Sequence, residues 1–289
     1  MHPAAVALVV GAAVAHAGWN LCAKRVADGG ALFVWLAAVW SAIFQLPVAV
    51  VVVVSAAATG GSIPATWWLA VVVSGLIHTG YFVILQRGYA VGDLSVVYPL
   101  ARGTGPTLSV IAAIWLLGER PGPVALAGTV AVVLGIWVIG GLGSSAGGSW
   151  GTGVGYGLAC GVTIATYTLW DAHAVTALAV PPLVLMAGSS MFETVVLGPY
   201  ALARRREVGA LWREHKVPIL AVAVLSPLAY LLVLFALRLA PVSLVAPARE
   251  LSIVLGSIGA WLLLREPDPA RRLVGAVIVL AGVAGIAAG

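Results

Sequence analysis

Four ionisable side chains stand inside long apolar runs of this 289-residue chain: Arg102, Glu193, Arg249 and Glu250. Holding an ion at the centre of an apolar helix costs about 2.5–3.5 kcal/mol on membrane-insertion scales, so such residues face an interior or a polar cavity. Arg102 follows Pro99 by three residues, and Glu250 follows Pro247 by three. Opposite charges at these matching places form a bridge if their helices meet, with Arg249 as the competing cation. Such a bridge lines or gates a pathway, or it is a static ion pair, because one buried charge demands another whether or not anything moves. Glu193 has no basic residue in its own segment. It is the proton-coupling candidate, unless it simply reaches the interface from near a helix end.

Around these charges lie residues able to contact a solute. Trp19, Tyr81, Tyr98, Tyr167 and Trp170 can stack on aromatic or cationic groups, although aromatics in membrane helices also form interfacial belts and fill packing space. Asn20 carries an amide that either bonds across helices or faces a cavity. His16 and His78 add titratable rings, His78 with Thr79 and Tyr81 close by. Pro99, Pro106 and Pro247 remove backbone hydrogen bonds, which leaves carbonyls for neighbours or for polar binding. Cys22 and Cys160 have no companion ligands, so they read as small packing residues rather than a metal site or disulfide framework. The sequence implies no cofactor.

The elements that must position these side chains are set by hydropathy. With 62% hydrophobic and 9% charged residues, the chain exceeds what a water-soluble domain can bury. In lipid every backbone group must pair within a helix or a closed barrel, and apolar runs of about 20 residues exclude barrel strands of about 10. A net charge of +5 raises nucleic acid as a partner, but the basic residues are scattered through short loops, which points to lipid headgroups instead.

Runs bounded by charge, Gly or Pro predict helices over 4–23, 32–55, 66–86, 94–117 and 123–141, then 152–170, 181–202, 217–237, 242–264 and 271–288. The first run ends in Ala15-His16-Ala17, like a signal-peptide cleavage site, yet it has a counterpart in the second set and is kept as helix 1. Residues 1–141 form the first five-helix unit, 142–151 a Gly/Ser linker and 152–289 the second unit. The units repeat. Pro99 matches Pro247, Trp19 matches Tyr167, and Ser41, Phe44 and Gln45 match Ser189, Phe192 and Glu193. Leu116-Leu117-Gly118-Glu119 matches Leu263-Leu264-Arg265-Glu266, and Gly128 and Gly135 match Gly275 and Gly282. A seven-residue interval keeps each glycine pair on one helix face for close packing. Five spans is an odd number, so the second copy enters the membrane from the opposite side. Inverted repeats of this kind are typical of secondary transporters working by alternating access, with the solute site at their interface.

These residues resemble the ten-helix, EamA-type branch of the drug/metabolite transporter superfamily. The resemblance rests on the Leu-Leu-x-Glu endings at Glu119 and Glu266 and on Tyr98-Pro99-Leu100-Ala101-Arg102-Gly103 and Arg249-Glu250-Leu251-Ser252. It covers nearly the whole chain as two repeats. It implies an all-α, multi-pass protein of the cell membrane, a monomer or homodimer, that exports a small metabolite, often an amino acid or drug-like compound. It also implies cytoplasmic termini, whereas the Lys and Arg count places Lys24, Arg25, Arg204 to Arg206, Arg213 and Lys216 on the side opposite the termini and so favours the reverse orientation. Alternative functions are a lipid-processing enzyme or a non-transporting membrane subunit. Neither a zincin pattern nor a nucleophile elbow supports the enzyme, and with no Walker loop any movement must be driven by gradients, exchange or a partner.

Overall fold

The computed structural model describes residues 1–23, 26, 29–58, 63–91, 94–140, 150–264 and 269–289. They form α1 (Pro3–Ala23), α2 (Gly30–Ala58), α3 (Ala65–Val91), α4 (Leu94–Leu116), α5 (Pro123–Gly140), α6 (Trp150–Thr176), α7 (Pro182–Ala203), α8 (Arg205–Leu237), α9 (Val242–Ala248), α10 (Leu251–Leu264) and α11 (Pro269–Ala288). Residues 141–149 of the linker lie outside the described residues, as do Lys24, Arg25, Arg265 and Glu266.

Three predicted helices change. The 204–216 loop is helix from Arg205 onward, because α8 starts there. Its 33 residues would measure about 50 Å, too long for a bilayer core of about 30 Å. A non-helical backbone at His215 (φ −125°, ψ 25°) separates the charged portion from the span, and Trp212 of the charged portion stacks on Trp40 with ring centroids 5.1 Å apart. Helix 6 does not stop at Trp170 but runs through Asp171 to Thr176. Helix 9 is two helices, α9 and α10, interrupted at Arg249-Glu250.

Counting α9 and α10 as one broken span leaves ten. The amino group of Met1 donates to the Ala287 carbonyl at 2.9 Å, so both termini share one side, as an even number of spans requires. Exchanging the halves, α1 for α6, α2 for α7, α3 for α8, α4 for α9–α10 and α5 for α11, leaves the packing pattern unchanged. Thus α1 packs on α8 as α6 packs on α3, and α4 packs on α6 as α10 packs on α1. The glycines show the sense of the exchange. A Cβ on Gly128 would lie 2.5 Å from the Gly282 carbonyl oxygen, and one on Gly135 would lie 2.8 Å from that of Gly275. The pairs 128–282 and 135–275 run in opposite directions, so α5 and α11 are antiparallel and the two-fold axis relating the halves is perpendicular to them. The repeats are therefore inverted.

The outer faces suit lipid. Valines 48, 50, 51 and 54 of α2 and Trp115, Leu116 and Val195 elsewhere are exposed, a surface that water would not tolerate on a monomer. Among the described residues, α1, α2, α7, α8 and residues 65–85 of α3 are long and apolar enough to cross a membrane by themselves, and α5 and α11 supply shorter apolar helices. The helices missing from that set, α4, α6 and α9–α10, carry Arg102, Asp171, Arg249 and Glu250, whose polarity is covered by neighbours instead. Backbone breaks are covered too. Pro227 cannot bond the Ala223 carbonyl one turn earlier, and Ser41 Oγ on α2 donates to that oxygen at 2.9 Å.

Candidate functional site

The end of α4 shapes the start of α9. Gly118 adopts φ +68°, a conformation open to glycine, and the Glu119 amide then bonds back to the Ala113 carbonyl at 3.2 Å, closing the helix end. This turn projects the Glu119 carboxylate across to α9. Its two oxygens accept the backbone amides of Val242 and Ser243, at 2.9 and 2.8 Å. Pro241 at the N-cap provides no side-chain cap of its own, so a residue of the other repeat satisfies the first amides of this helix.

Seven residues later the span breaks. The Glu250 amide bonds to the Pro247 carbonyl at 3.1 Å and the Ile253 amide to the Glu250 carbonyl at 2.9 Å, tight turns in place of the α-helical ladder. Glu250 is fully buried. Its Oε2 lies 2.8 Å from Arg102 Nη2, and its Oε1 3.3 Å from Arg249 Nε. Arg102 also donates to Ser252 Oγ at 3.2 Å. One carboxylate thus serves two guanidiniums, both less than a tenth exposed.

A cavity of about 40 Å³ opens beside this cluster, lined by His16 and Ala12 of α1, Arg102 of α4, Tyr167 of α6, Ala229, Tyr230 and Val233 of α8, and Arg249. On this measure a water needs about 10–15 Å³, so the space admits a few waters and no metabolite. Aromatic rings form its wall. Tyr167 stacks on His78 at 4.3 Å, Tyr81 and Tyr230 meet Tyr167 edge-on at 5.7 and 5.8 Å, and the Arg249 guanidinium lies 5.8 Å from the Tyr167 ring centre.

Behind that wall sits Asp171, which sequence reasoning overlooked. It is fully buried; Tyr230 donates its hydroxyl to Oδ2 at 2.6 Å, and His78 Nε2 lies 2.9 Å from the same oxygen. The signal was available, as an acidic residue directly after Trp170, but ending helix 6 at that tryptophan placed Asp171 in a loop. Tyr230 was not among the aromatic candidates.

The other candidates separate. Arg102, Arg249, Glu250, Tyr167, Tyr81 and His78 converge on the cavity or its wall. Trp19 packs edge-on against His16 at 4.9 Å, and the Asn20 amide donates to the His16 carbonyl of its own helix at 2.8 Å. Trp170 donates to the Ala70 carbonyl at 3.1 Å and so ties α6 to α3. Glu193 is not among the cavity-lining residues, and its buried Oε1 finds no hydrogen-bond partner among the described residues. The Tyr98 side chain lies outside the described residues. Among the described residues no cluster of His, Cys, Asp and Glu could hold a metal ion.

Residues 151–288, the whole second repeat, match the model of the EamA-like transporter family. The second repeat belongs to this family. A protein of known crystal structure aligns over 99% of this chain and 96% of its own, with a TM-score of 0.75 at 15% identity, which extends the shared fold to both repeats. The sequence matches no curated protein. In this EamA-like, multi-pass membrane protein the first Leu-Leu-x-Glu motif has a physical reason: glycine at 118 turns the chain and Glu119 caps the opposite repeat.

Proposed function

We propose that the chain is a secondary transporter that exports a small metabolite across the cell membrane by alternating access, with the solute held between the inverted repeats. One observation carries this reading. The Arg102–Glu250 pair and the break between α9 and α10 lie together at the meeting of two equivalent spans, where interrupted helices in transporters present charged and backbone groups to solutes. The cavity is contracted, so the repeats must rock apart for a solute to enter. The Glu119 carboxylate on α9 ties the two repeats on the side of the termini, and in this reading it is a closure contact broken when that side opens. Solute and membrane lipid are the partners this mechanism needs.

Flux through proteoliposomes of the purified chain tests the proposal, with labelled amino acids, nucleobases, organic acids, polyamines and cationic drugs as solutes. At least one solute is expected to move faster than in empty liposomes, and Arg102→Ala and Glu250→Ala to reduce its rate at least tenfold. Direction follows from comparing right-side-out with inside-out vesicles. Equal flux in protein-free liposomes for every solute, with natively folded protein, would sink the proposal.

A further inference from the structure

The walls of the cavity carry an unbalanced charge. His16, Arg102 and Arg249 line it, and no acidic residue does so among the described residues. Glu250 answers both guanidiniums, but unequally. Arg102 holds its carboxylate at 2.8 Å and has Ser252 besides, whereas Arg249 offers it a single Nε at 3.3 Å. Arg249 Nη2 is buried and has no hydrogen-bond partner among the described residues, on a residue only 8% exposed. A guanidinium has five donors and does not shed its proton, so a dry, unused edge is costly unless something accepts from it. The second buried carboxylate does not serve, since Asp171 lies behind the wall with Oδ2 engaged by Tyr230 and His78.

We infer that the cavity recognises a small organic monoanion by its carboxylate, which docks on Arg249, whose Nη2 is unpartnered among the described residues, while the apolar body rests against Tyr167, Ala12, Ala229 and Val233. This deepens the transporter reading above and rests on it. A planar carboxylate matches the guanidinium fork with two parallel hydrogen bonds. Arg249 shares the Glu250 carboxylate with Arg102, so a monoanion supplies the counter-charge that Arg249 does not have to itself. The amino end of α10, starting at Leu251 beside the site, adds a favourable dipole. A cationic solute finds no carboxylate on the lining. The structure supplies the anchor, and opening of the repeats supplies room for the rest of the solute.

Thermal unfolding of the purified full-length chain in detergent tests this with matched probes, propionate and benzoate against propionamide and benzamide, and inorganic phosphate at equal ionic strength. A carboxylate is expected to raise the unfolding temperature and its amide to leave it unchanged. Arg249→Gln should weaken the half-saturating concentration by about tenfold to a hundredfold, as for a lost hydrogen bond to a charged group. Arg249→Lys, which keeps the charge without the fork, should recover part of that loss and serves alone if the glutamine variant does not fold. Arg238→Gln, on an exposed residue after α8, should bind as the unaltered chain does. Amides binding as well as carboxylates, a response to phosphate alone, no carboxylate response, or affinity that survives both Arg249 changes each overturn the inference. Flux of a neutral or cationic solute without any carboxylate response overturns it while leaving the transporter reading intact. Carboxylate binding without flux of any solute leaves the anion site standing and removes the transport.

Discussion

Helix α4 and the α9–α10 pair occupy equivalent places in the two repeats and begin from the same pattern, a proline followed three residues later by a charge. They end differently. α4 continues as one helix through Pro99 and Pro106 to Leu116, whereas α9 stops one residue after Pro247 and α10 begins at Leu251. Proline alone therefore does not break this span. What distinguishes the second repeat is two adjacent charges, Arg249 and Glu250, where the first has Ala101 and Arg102. Neighbouring residues on a helix point in different directions, so meeting through Glu250 requires the backbone to turn between them. The difference also makes the pair complementary. Equivalent positions on two inverted copies meet at the axis relating them, where identical residues would put like charges together, and Arg102 against Glu250 avoids this.

Removing the shared anion should produce the largest effect. Glu250→Gln leaves two buried guanidiniums without a counter-charge and is expected to cost about 3–5 kcal/mol of stability, read by denaturant unfolding in detergent. Arg102→Gln tests the asymmetry, because Glu250 keeps Arg249; its loss should be smaller, about 1.5–3 kcal/mol, and an equal or larger loss would mean that Arg249 contributes nothing to holding Glu250. Glu119→Gln removes the charge and one of two acceptors at the start of α9, for about 0.5–2 kcal/mol, with α9 amides exchanging faster and those of α4 unchanged. Pro247→Ala should change stability least, by under about 1 kcal/mol, with the turn at Arg249-Glu250 retained. A continuous helix in that variant, seen as slowed amide exchange across 249–252, would return the break to the proline.

Much of this arrangement was legible before the structure. Ten spans follow from hydropathy because lipid leaves the backbone no other solution, and inversion follows from an odd number of spans copied once. The Arg102–Glu250 contact follows from matching positions beside the axis. Asp171 was not legible, since a hydropathy boundary cannot tell a polar residue that ends a helix from one that stays buried because His78 and Tyr230 receive it. Nor was the role of Glu119, whose carboxylate accepts from amides 123 and 124 residues away. The charged start of α8 was hidden for a related reason, being too polar to span the membrane while still able to lie helically beside it.

By itself, then, the sequence determined the membrane habitat, the duplicated halves, the glycine faces of α5 and α11 and the rarity of its buried charges. Only the tertiary structure decided which charges share a partner, which span breaks and which guanidinium nitrogen is left without one among the described residues. Hydropathy and repeat spacing act along one helix at a time, whereas the cost of a buried charge depends on groups brought in by other helices.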